Sequence, residues 1–92
     1  MIRRRLIVTG RVQNVFYRDW FVAEARARGL DGWVRNRADG SVEAVIAGAP
    51  EMVEAMIAAA GQGSPASRVA AVAASDDAPA ETLAGFAKRA TA

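Results

Sequence analysis

The sequence predicts an α+β fold in which strands and helices follow one another in the order β-α-β-β-α-β. Three observations lead to this prediction: short runs rich in β-branched residues, two stretches of helix formers that each end at a glycine, and an Asp-Gly turn between the middle strands. Right-handed crossovers place both helices on one face of a four-stranded antiparallel sheet. We therefore expect a ferredoxin-like α/β sandwich, with residues 1–92 forming a single domain.

The first β-α unit occupies the amino-terminal third of the chain. Residues Arg3–Thr9 form a short run that becomes β-branched toward its end, which predicts the first strand. Good helix formers follow from about Phe16 to Arg28, and Gly29 stands where a helix commonly places its C′ glycine. The apolar stripe of this helix, which we expect to face the core, consists of Phe21, Val22 and Ala25.

A β-hairpin is predicted in the middle of the chain. Residues Trp33–Asn36 and Ser41–Ala47 flank a turn marked by Asp39 and Gly40. Side chains of the second strand alternate in a pattern typical of a sheet covered on one face only. The two strands should therefore pair directly.

The remaining elements are a second helix and one or two further strands. Pro50 suits a first helical turn, and an apolar stripe runs to Ala60, after which Gly61 is predicted to end the helix. Residues Val69–Ala73 read as the fourth strand. The sequence leaves open whether residues 83–89 form a short fifth strand, because the surrounding Ala and Gly have poor β propensity.

Composition excludes several kinds of chemistry. The chain has no cysteine and no histidine, so disulfides, thiol nucleophiles, phosphohistidine and Cys- or His-based metal sites are excluded. No carboxylates cluster at metal-ligand spacing, and we expect neither a metal nor another cofactor. The apolar run Leu6–Thr9 is too short for a signal peptide or a membrane span, which favours a cytoplasmic protein without a membrane partner.

Charge is distributed unevenly along the chain. The formal net charge is only +2, which argues against a nucleic-acid partner. The first 37 residues nevertheless contain nine arginines and only three carboxylates. Such a basic half can steer a dianionic small molecule toward a site.

The segment Gly10–Arg18, which reads Gly-Arg-Val-Gln-Asn-Val-Phe-Tyr-Arg, has the features of a phosphate-binding loop. Gly10 lets the chain turn sharply out of the first strand, and Asn14 enters the left-handed region at modest cost. Amides of residues 13 to 17 can then converge at the start of a helix, where an anion is favoured. Arg18 would add a two-pronged grip on phosphate. The same residues also fit an ordinary strand-to-helix connection with a surface arginine.

A second segment follows that loop, and together the two strongly resemble the acylphosphatase family. This second segment reads Gly29-Leu30-Asp31-Gly32-Trp33-Val34-Arg35-Asn36-Arg37-Ala38-Asp39-Gly40-Ser41-Val42-Glu43. A third motif, Gly63–Val69, is similar to the family's glycine-proline entry to its fourth strand. The resemblance extends from about Arg3 to Arg89.

The resemblance implies an enzyme that hydrolyses acyl phosphates to a carboxylate and inorganic phosphate. Arg18 and Asn36 would be its catalytic residues, and Asn36 would orient the attacking water. The phosphate-binding residues that it implies are Gln13, Asn14, Val15, Phe16, Tyr17 and Arg18. The partner would be a small-molecule acyl phosphate, with inorganic phosphate as product or inhibitor, and we expect a monomer.

The sequence departs from the family pattern at Asn14, where the family usually has glycine. This departure keeps open a non-catalytic module that binds an anion or another ligand without turnover. An RNA-binding module is a third alternative, since the same topology carries RNA on its open sheet face by means of stacked aromatic side chains. Trp33 is the sole aromatic residue in the first four predicted strands, which disfavours that alternative.

Overall fold

A computed structural model describes all residues from Met1 to Ala92. Five strands form one sheet in the order β4-β1-β3-β2-β5, and the predicted β-α-β-β-α-β order with its ferredoxin-like arrangement is confirmed. The elements are β1 (Ile2–Arg11), α1 (Tyr17–Ala27), β2 (Asp31–Asn36), β3 (Val42–Gly48), α2 (Pro50–Gln62), β4 (Arg68–Ser75) and β5 (Phe86–Lys88). Neither helix has the length and apolar character needed to cross a bilayer.

The question of a fifth strand is answered by β5, which pairs in parallel with β2 and makes the sheet mixed. Phe86 explains why this alanine-rich segment forms a strand. Its side chain is buried and stacks on Phe21 of α1, with ring centroids 5.7 Å apart. Burial of one aromatic ring therefore outweighs the poor β propensity of its neighbours.

Strand β1 is longer than predicted, and the prediction of a sharp turn at Gly10 is wrong. The strand continues to Arg11, and its pairing with β4 shifts register between Thr9 and Gly10. Gly10 has φ 114°, and a Cβ there would overlap the carbonyl oxygen of Arg68. The glycine thus permits a β-bulge and a close approach of two backbones.

The helix ends agree with the predictions at α1 but not at α2. Gly29 adopts φ 67° just beyond α1, and its N–H donates to the carbonyl of Arg26 at 3.0 Å. The second helix continues through Gly61 and stops only where Gly63 adopts φ 76°. A glycine can stay helical when its neighbours favour the helix, so the prediction of a stop at Gly61 was wrong.

The main core lies between the two helices and one face of the sheet. Its fully buried large side chains include Leu6, Val8, Phe21, Ile46 and Met56. Helix α2 faces this core through Val53, Met56 and Ala60, while Met52 and Ile57 are partly buried at its margin.

Strand β3 is buried along its whole length, which contradicts the prediction that only one face of the sheet is covered. The connection from β4 to β5 must pass from one edge of the sheet to the other, and it crosses the face opposite the helices. Arg3 Nη1 donates to the carbonyls of Pro79 and Glu81 at 2.8 and 2.9 Å. Trp33 Nε1 donates to Glu81 Oε1 at 2.8 Å. These contacts hold the crossing segment against the sheet.

The same face contains a buried carboxylate held by two arginines. The side chain of Glu43 is 6% exposed, and it accepts hydrogen bonds from Arg5 Nε at 2.7 Å and Arg35 Nε at 2.8 Å. Burial acts to raise the pKa of Glu43, but the hydrogen bonds and charges of the two guanidinium groups hold it below its ordinary value. The carboxylate is therefore ionised in the folded protein at neutral pH.

Candidate active site

The chain between β1 and α1 forms a loop whose side chains point alternately inward and outward. Val12, Val15 and Tyr17 are 1%, 7% and 1% exposed and belong to the core cluster, whereas Asn14 and Phe16 are exposed. Apolar burial at three closely spaced positions leaves the loop little freedom to change shape.

Two residues of the loop have left-handed backbone conformations. Asn14 has φ 60°, as its residue type suggested. Phe16, the residue before α1, also has φ 60°. Sequence reasoning missed this second position, because a bulky aromatic residue is one of the least expected there.

The loop presents a row of unpaired backbone donors at the beginning of α1. The N–H groups of Gln13, Asn14, Val15 and Phe16 donate to no backbone carbonyl of the chain. Helix α1 begins immediately afterwards at Tyr17, so its positive dipole end lies beside these donors. Such an arrangement favours an anion.

Arg18 lies in the first turn of α1, where it is half-buried. No carboxylate lies within ion-pair distance of its guanidinium group. The charge and the planar donor geometry of the group are thus free for a ligand.

A cavity of about 340 Å³ opens beside this loop. It is lined by Val12, Asn14, Phe16, Tyr17, Arg18, Asp19 and Lys88. The structure therefore brings four of the predicted site residues to one cavity.

Lys88 and Asp19 complete the wall of the cavity, and sequence reasoning missed both residues. Lys88 Nζ donates to Asp19 Oδ1 at 2.8 Å, and this hydrogen bond with the lysine charge lowers the pKa of Asp19. The pair joins β5 to α1 next to Arg18. In the sequence, only a predicted β5 would have indicated the pairing of Asp19 with Lys88, and the sequence left the existence of that strand open.

Gln13 and Val15 are not part of the cavity wall, although they were predicted with the phosphate-binding residues. Gln13 Nε2 donates to the carbonyls of Arg37 and Ser41, both at 2.8 Å, and so ties the loop to the β2–β3 hairpin. The carbonyl of Val15 accepts a hydrogen bond from Ser64 Oγ at 3.3 Å. Only the backbone amides of these two residues remain available to a ligand.

Tyr17 anchors the loop to the second helix. Its hydroxyl donates to the carbonyl of Ala60 at 2.8 Å, and burial raises its pKa far above the ordinary value. The phenol is therefore neutral at neutral pH, and its hydrogen bond to Ala60 gives it a structural part in the site.

Asn36 lies at the end of β2, two residues beyond the core residue Val34 and thus on the helix-facing side of the sheet. It is 7% exposed, and no donor of the chain reaches its Oδ1. It does not line the cavity around Arg18. The hairpin that contains it is tied to the loop by Gln13, which binds the carbonyl of the next residue, Arg37.

The sheet face opposite the helices offers no aromatic ring for stacking on bases. Trp33 is 2% exposed, and the guanidinium carbons of Arg35 and Arg89 each lie 4.7 Å from its ring centroid. These cation–π contacts occupy the ring that an RNA-binding sheet would present to nucleotides.

Known proteins that resemble the chain agree on one family. The sequence model described as Acylphosphatase matches residues 4–88. An acylphosphatase of Rhizorhabdus wittichii is 53% identical over 90 residues, which cover 98% of this chain and 90% of that protein. One of Acidiphilium cryptum is 48% identical over 92 residues, which cover 99% of both. A crystal structure of acylphosphatase from Bacillus subtilis has a TM-score of 0.91 and 36% identity, and the match covers 97% of this chain and 99% of that one. The chain therefore belongs to the acylphosphatase family, the enzymes that hydrolyse acyl phosphates.

Proposed function

We propose that this acylphosphatase hydrolyses its substrate by holding the phosphoryl group between the amides of residues 13–17 and the guanidinium of Arg18. The observation that supports this proposal most is the row of unpaired loop amides beside the free Arg18 at the start of α1. The transferred group carries its charge on three peripheral oxygens in a loose transition state. Fixed donors around those oxygens stabilise that charge without reorganising during the reaction.

Asn36 is proposed to orient the attacking water. Its buried Oδ1 lacks a donor within the chain, and a buried acceptor of this kind is normally satisfied by a hydrogen bond. A water that donates one hydrogen to Oδ1 keeps a lone pair directed at phosphorus. An amide is not a strong base, so a phosphoryl oxygen takes the proton of the water as the new P–O bond forms. The bond from phosphorus to the acyl oxygen breaks, and a carboxylate leaves.

The leaving group explains how so simple a site can be sufficient. A carboxylic acid has a pKa of about 4 and a tyrosine phenol about 10, a difference that corresponds to roughly 8 kcal/mol. An acyl phosphate can thus expel its carboxylate without a general acid, whereas a phosphotyrosine cannot do so readily. We propose that the reaction also needs no metal ion.

The same loop should bind inorganic phosphate, because phosphate presents the same kind of charged oxygens as the transferred phosphoryl group. We propose that this product inhibits the enzyme by competing with the substrate. A monomer in the cytoplasm is the proposed working form of the protein.

The proposed roles of Arg18 and Asn36 predict different effects on binding and turnover when each residue is substituted. Arg18→Ala should weaken phosphate binding and abolish turnover. Arg18→Lys should also lose most of the turnover, because an ammonium group does not reproduce the two parallel hydrogen bonds of a guanidinium. Asn36→Ala should lower kcat by a factor of about 10² or more with little change in phosphate affinity, because the lost interaction places the nucleophile. Phosphate titration and steady-state kinetics with an acyl phosphate measure both effects.

Arg11→Ala is the matched control, since Arg11 is an exposed arginine near the loop that does not line the cavity. It should leave kcat and phosphate affinity close to those of the parent. Parental turnover in Asn36→Ala would remove Asn36 from the mechanism. Loss of activity on chelation, with recovery on adding a divalent ion, would contradict the metal-independent reaction.

A further inference from the structure

Phe16 is the one large apolar side chain on the cavity wall that remains in water. It is 80% exposed, and the only other large apolar residue with comparable exposure is Met1 at the chain terminus. Its neighbours Val15 and Tyr17 are buried in the core. An aromatic ring that stays exposed beside a binding loop gains stability when an apolar group covers it.

The backbone conformation of Phe16 is also unusual. Its φ of 60° is a left-handed conformation that is a genuine outlier for a bulky aromatic residue. Strained residues of this kind cluster at ligand-binding sites, where the surrounding structure holds them in place. Here, Val15 on one side and Tyr17 on the other provide that support.

The charges of the cavity indicate what kind of group belongs beside the ring. Asp19 and Lys88 neutralise each other at 2.8 Å, which leaves Arg18 as the unpaired charge. The remaining wall includes Val12 and the ring of Phe16. A volume of about 340 Å³ falls in the range of pockets that hold a whole small molecule, so the cavity has room for more than a phosphoryl group.

We propose that Phe16 is a specificity-determining residue that contacts the acyl group and favours uncharged aromatic acyl phosphates over acetyl phosphate. This inference rests on the proposed function, because it requires the phosphoryl group at Arg18 and the loop amides. The aromatic acyl group then lies against the ring of Phe16 and removes its apolar surface from water.

The test compares kcat/KM for benzoyl phosphate and acetyl phosphate in the parent, Phe16→Asn and Phe16→Tyr. Asparagine accepts the left-handed backbone and lacks the ring, while tyrosine keeps the ring. Differences in intrinsic reactivity cancel when the ratio of the two substrates is compared between variants. Phe16→Asn should lower the benzoyl-to-acetyl ratio by roughly tenfold, the scale of one lost aromatic contact. Phe16→Tyr should keep the parental ratio.

A binding measurement on the parent gives a second readout that does not depend on how the variants fold. Benzoylphosphonate and acetylphosphonate lack the P–O bond that the proposed reaction breaks, and the benzoyl compound should be the stronger competitive inhibitor. An unchanged substrate ratio in Phe16→Asn, or an equal loss with both substrates, would overturn the role of Phe16. Equal inhibition of the parent by the two phosphonates would do the same. Failure of the parent to hydrolyse either acyl phosphate would instead reject the proposed function.

Discussion

At the scale of single residues, the loop depends on two left-handed positions with different side chains. Asn14 and Phe16 both have φ 60°, and each is followed by a residue buried in the core. The two conformations turn the chain so that Val15 and Tyr17 can be buried while the intervening amides stay free of intramolecular partners. The shape of the loop therefore comes from its backbone as much as from its side chains.

Substitutions at Asn14 should separate backbone strain from side-chain chemistry. Asn14→Gly should preserve or improve phosphate affinity, because glycine adopts φ 60° freely. Asn14→Val should cost roughly 1 to 3 kcal/mol in folding or binding, since a β-branched residue is strained there. Urea unfolding and phosphate titration of both variants measure these effects. Equal behaviour of the glycine and valine variants would show that the loop does not require this conformation.

Residue types predicted part of the backbone geometry of the loop. The short polar side chain of Asn14 predicts a left-handed conformation, and the structure confirms it. The role of Arg18, which is predicted because this residue ends the loop, stays a prediction. Phe16 was not predicted as left-handed, since its residue type argues against the conformation that the neighbouring core contacts impose. Lys88 was missed because its proximity to Asp19 depends on the pairing of β5 with β2, a contact between distant segments.

At the scale of the elements, Gln13 connects the loop to the hairpin that carries Asn36. Two hydrogen bonds from its side chain reach the backbone of that hairpin. The side-chain amide of Gln13 therefore adds to the backbone pairing of β1 with β3 in fixing the relative placement of the proposed phosphate and water sites. No local pattern in the sequence indicates this side-chain connection.

Removing the Gln13 amide should change turnover more than binding. Gln13→Ala removes two hydrogen bonds to the carbonyls of Arg37 and Ser41, which keep the backbone N–H groups of Gly40 and Arg37 as donors. The loss of the two bonds should cost about 1 to 2 kcal/mol in the free energy of unfolding. We expect a lower kcat with nearly parental phosphate affinity, because Val12, Val15 and Tyr17 still hold the loop. Gln13→Met, which keeps the side-chain length but not the donor, should behave in the same way. Parental kcat in both variants would contradict a positioning role for Gln13.

Substitutions at Gly61 and Gly63 test where helix α2 ends. Gly61→Ala should raise the free energy of unfolding by about 0.5 to 1 kcal/mol, since Gly61 is helical and a Cβ there would meet Val72 at an ordinary 3.9 Å. Gly63→Ala should be destabilising, because φ there is 76° and a Cβ would overlap Ser67 Oγ. Urea unfolding of the two variants compares them directly. A loss of stability in Gly61→Ala would mean that the helix ends where the sequence predicted.

The order of the elements was predictable because each has a local signal, whereas their exact extents depend on distant contacts. The Asp-Gly turn predicted the β2–β3 hairpin without knowledge of the rest of the sheet. The extension of β1 to Arg11 depends on β4, with which Gly10 and Arg11 pair. The full burial of β3 depends on a connection that crosses the sheet about thirty residues later in the chain.

At the scale of the whole molecule, buried charge links stability to pH. Hydrogen bonds to Arg5 and Arg35 hold the folded pKa of Glu43 below its unfolded value of 4.5. The stabilisation is therefore fully present above pH 4.5 and is lost as the pH falls through the lower folded pKa. Glutamine at this position cannot ionise, so it supplies a direct comparison.

Glu43→Gln should destabilise the protein by about 1 to 3 kcal/mol at neutral pH, because two half-buried guanidinium groups lose their carboxylate. The difference in unfolding free energy between parent and variant should shrink as the pH is lowered below 4.5. Urea titrations of both proteins at neutral and acidic pH measure this difference in unfolding free energy. A difference that stays constant with pH would show that ionised Glu43 does not contribute to stability.

The strand order β4-β1-β3-β2-β5 has a consequence for how fast the chain reaches its native state. Only the β2–β3 pairing joins strands that follow each other directly in sequence, whereas β1 must find β3 and then β4, and β2 must find β5. Each of these pairings closes a long loop before its contacts contribute, so a high contact order should slow folding to roughly the millisecond-to-second range. During that time the hairpin with Asn36 can form early. The loop with Arg18 gains its support from Ser64 and Ala60 only when α2 has docked, so the ability to bind phosphate should appear among the last events of folding.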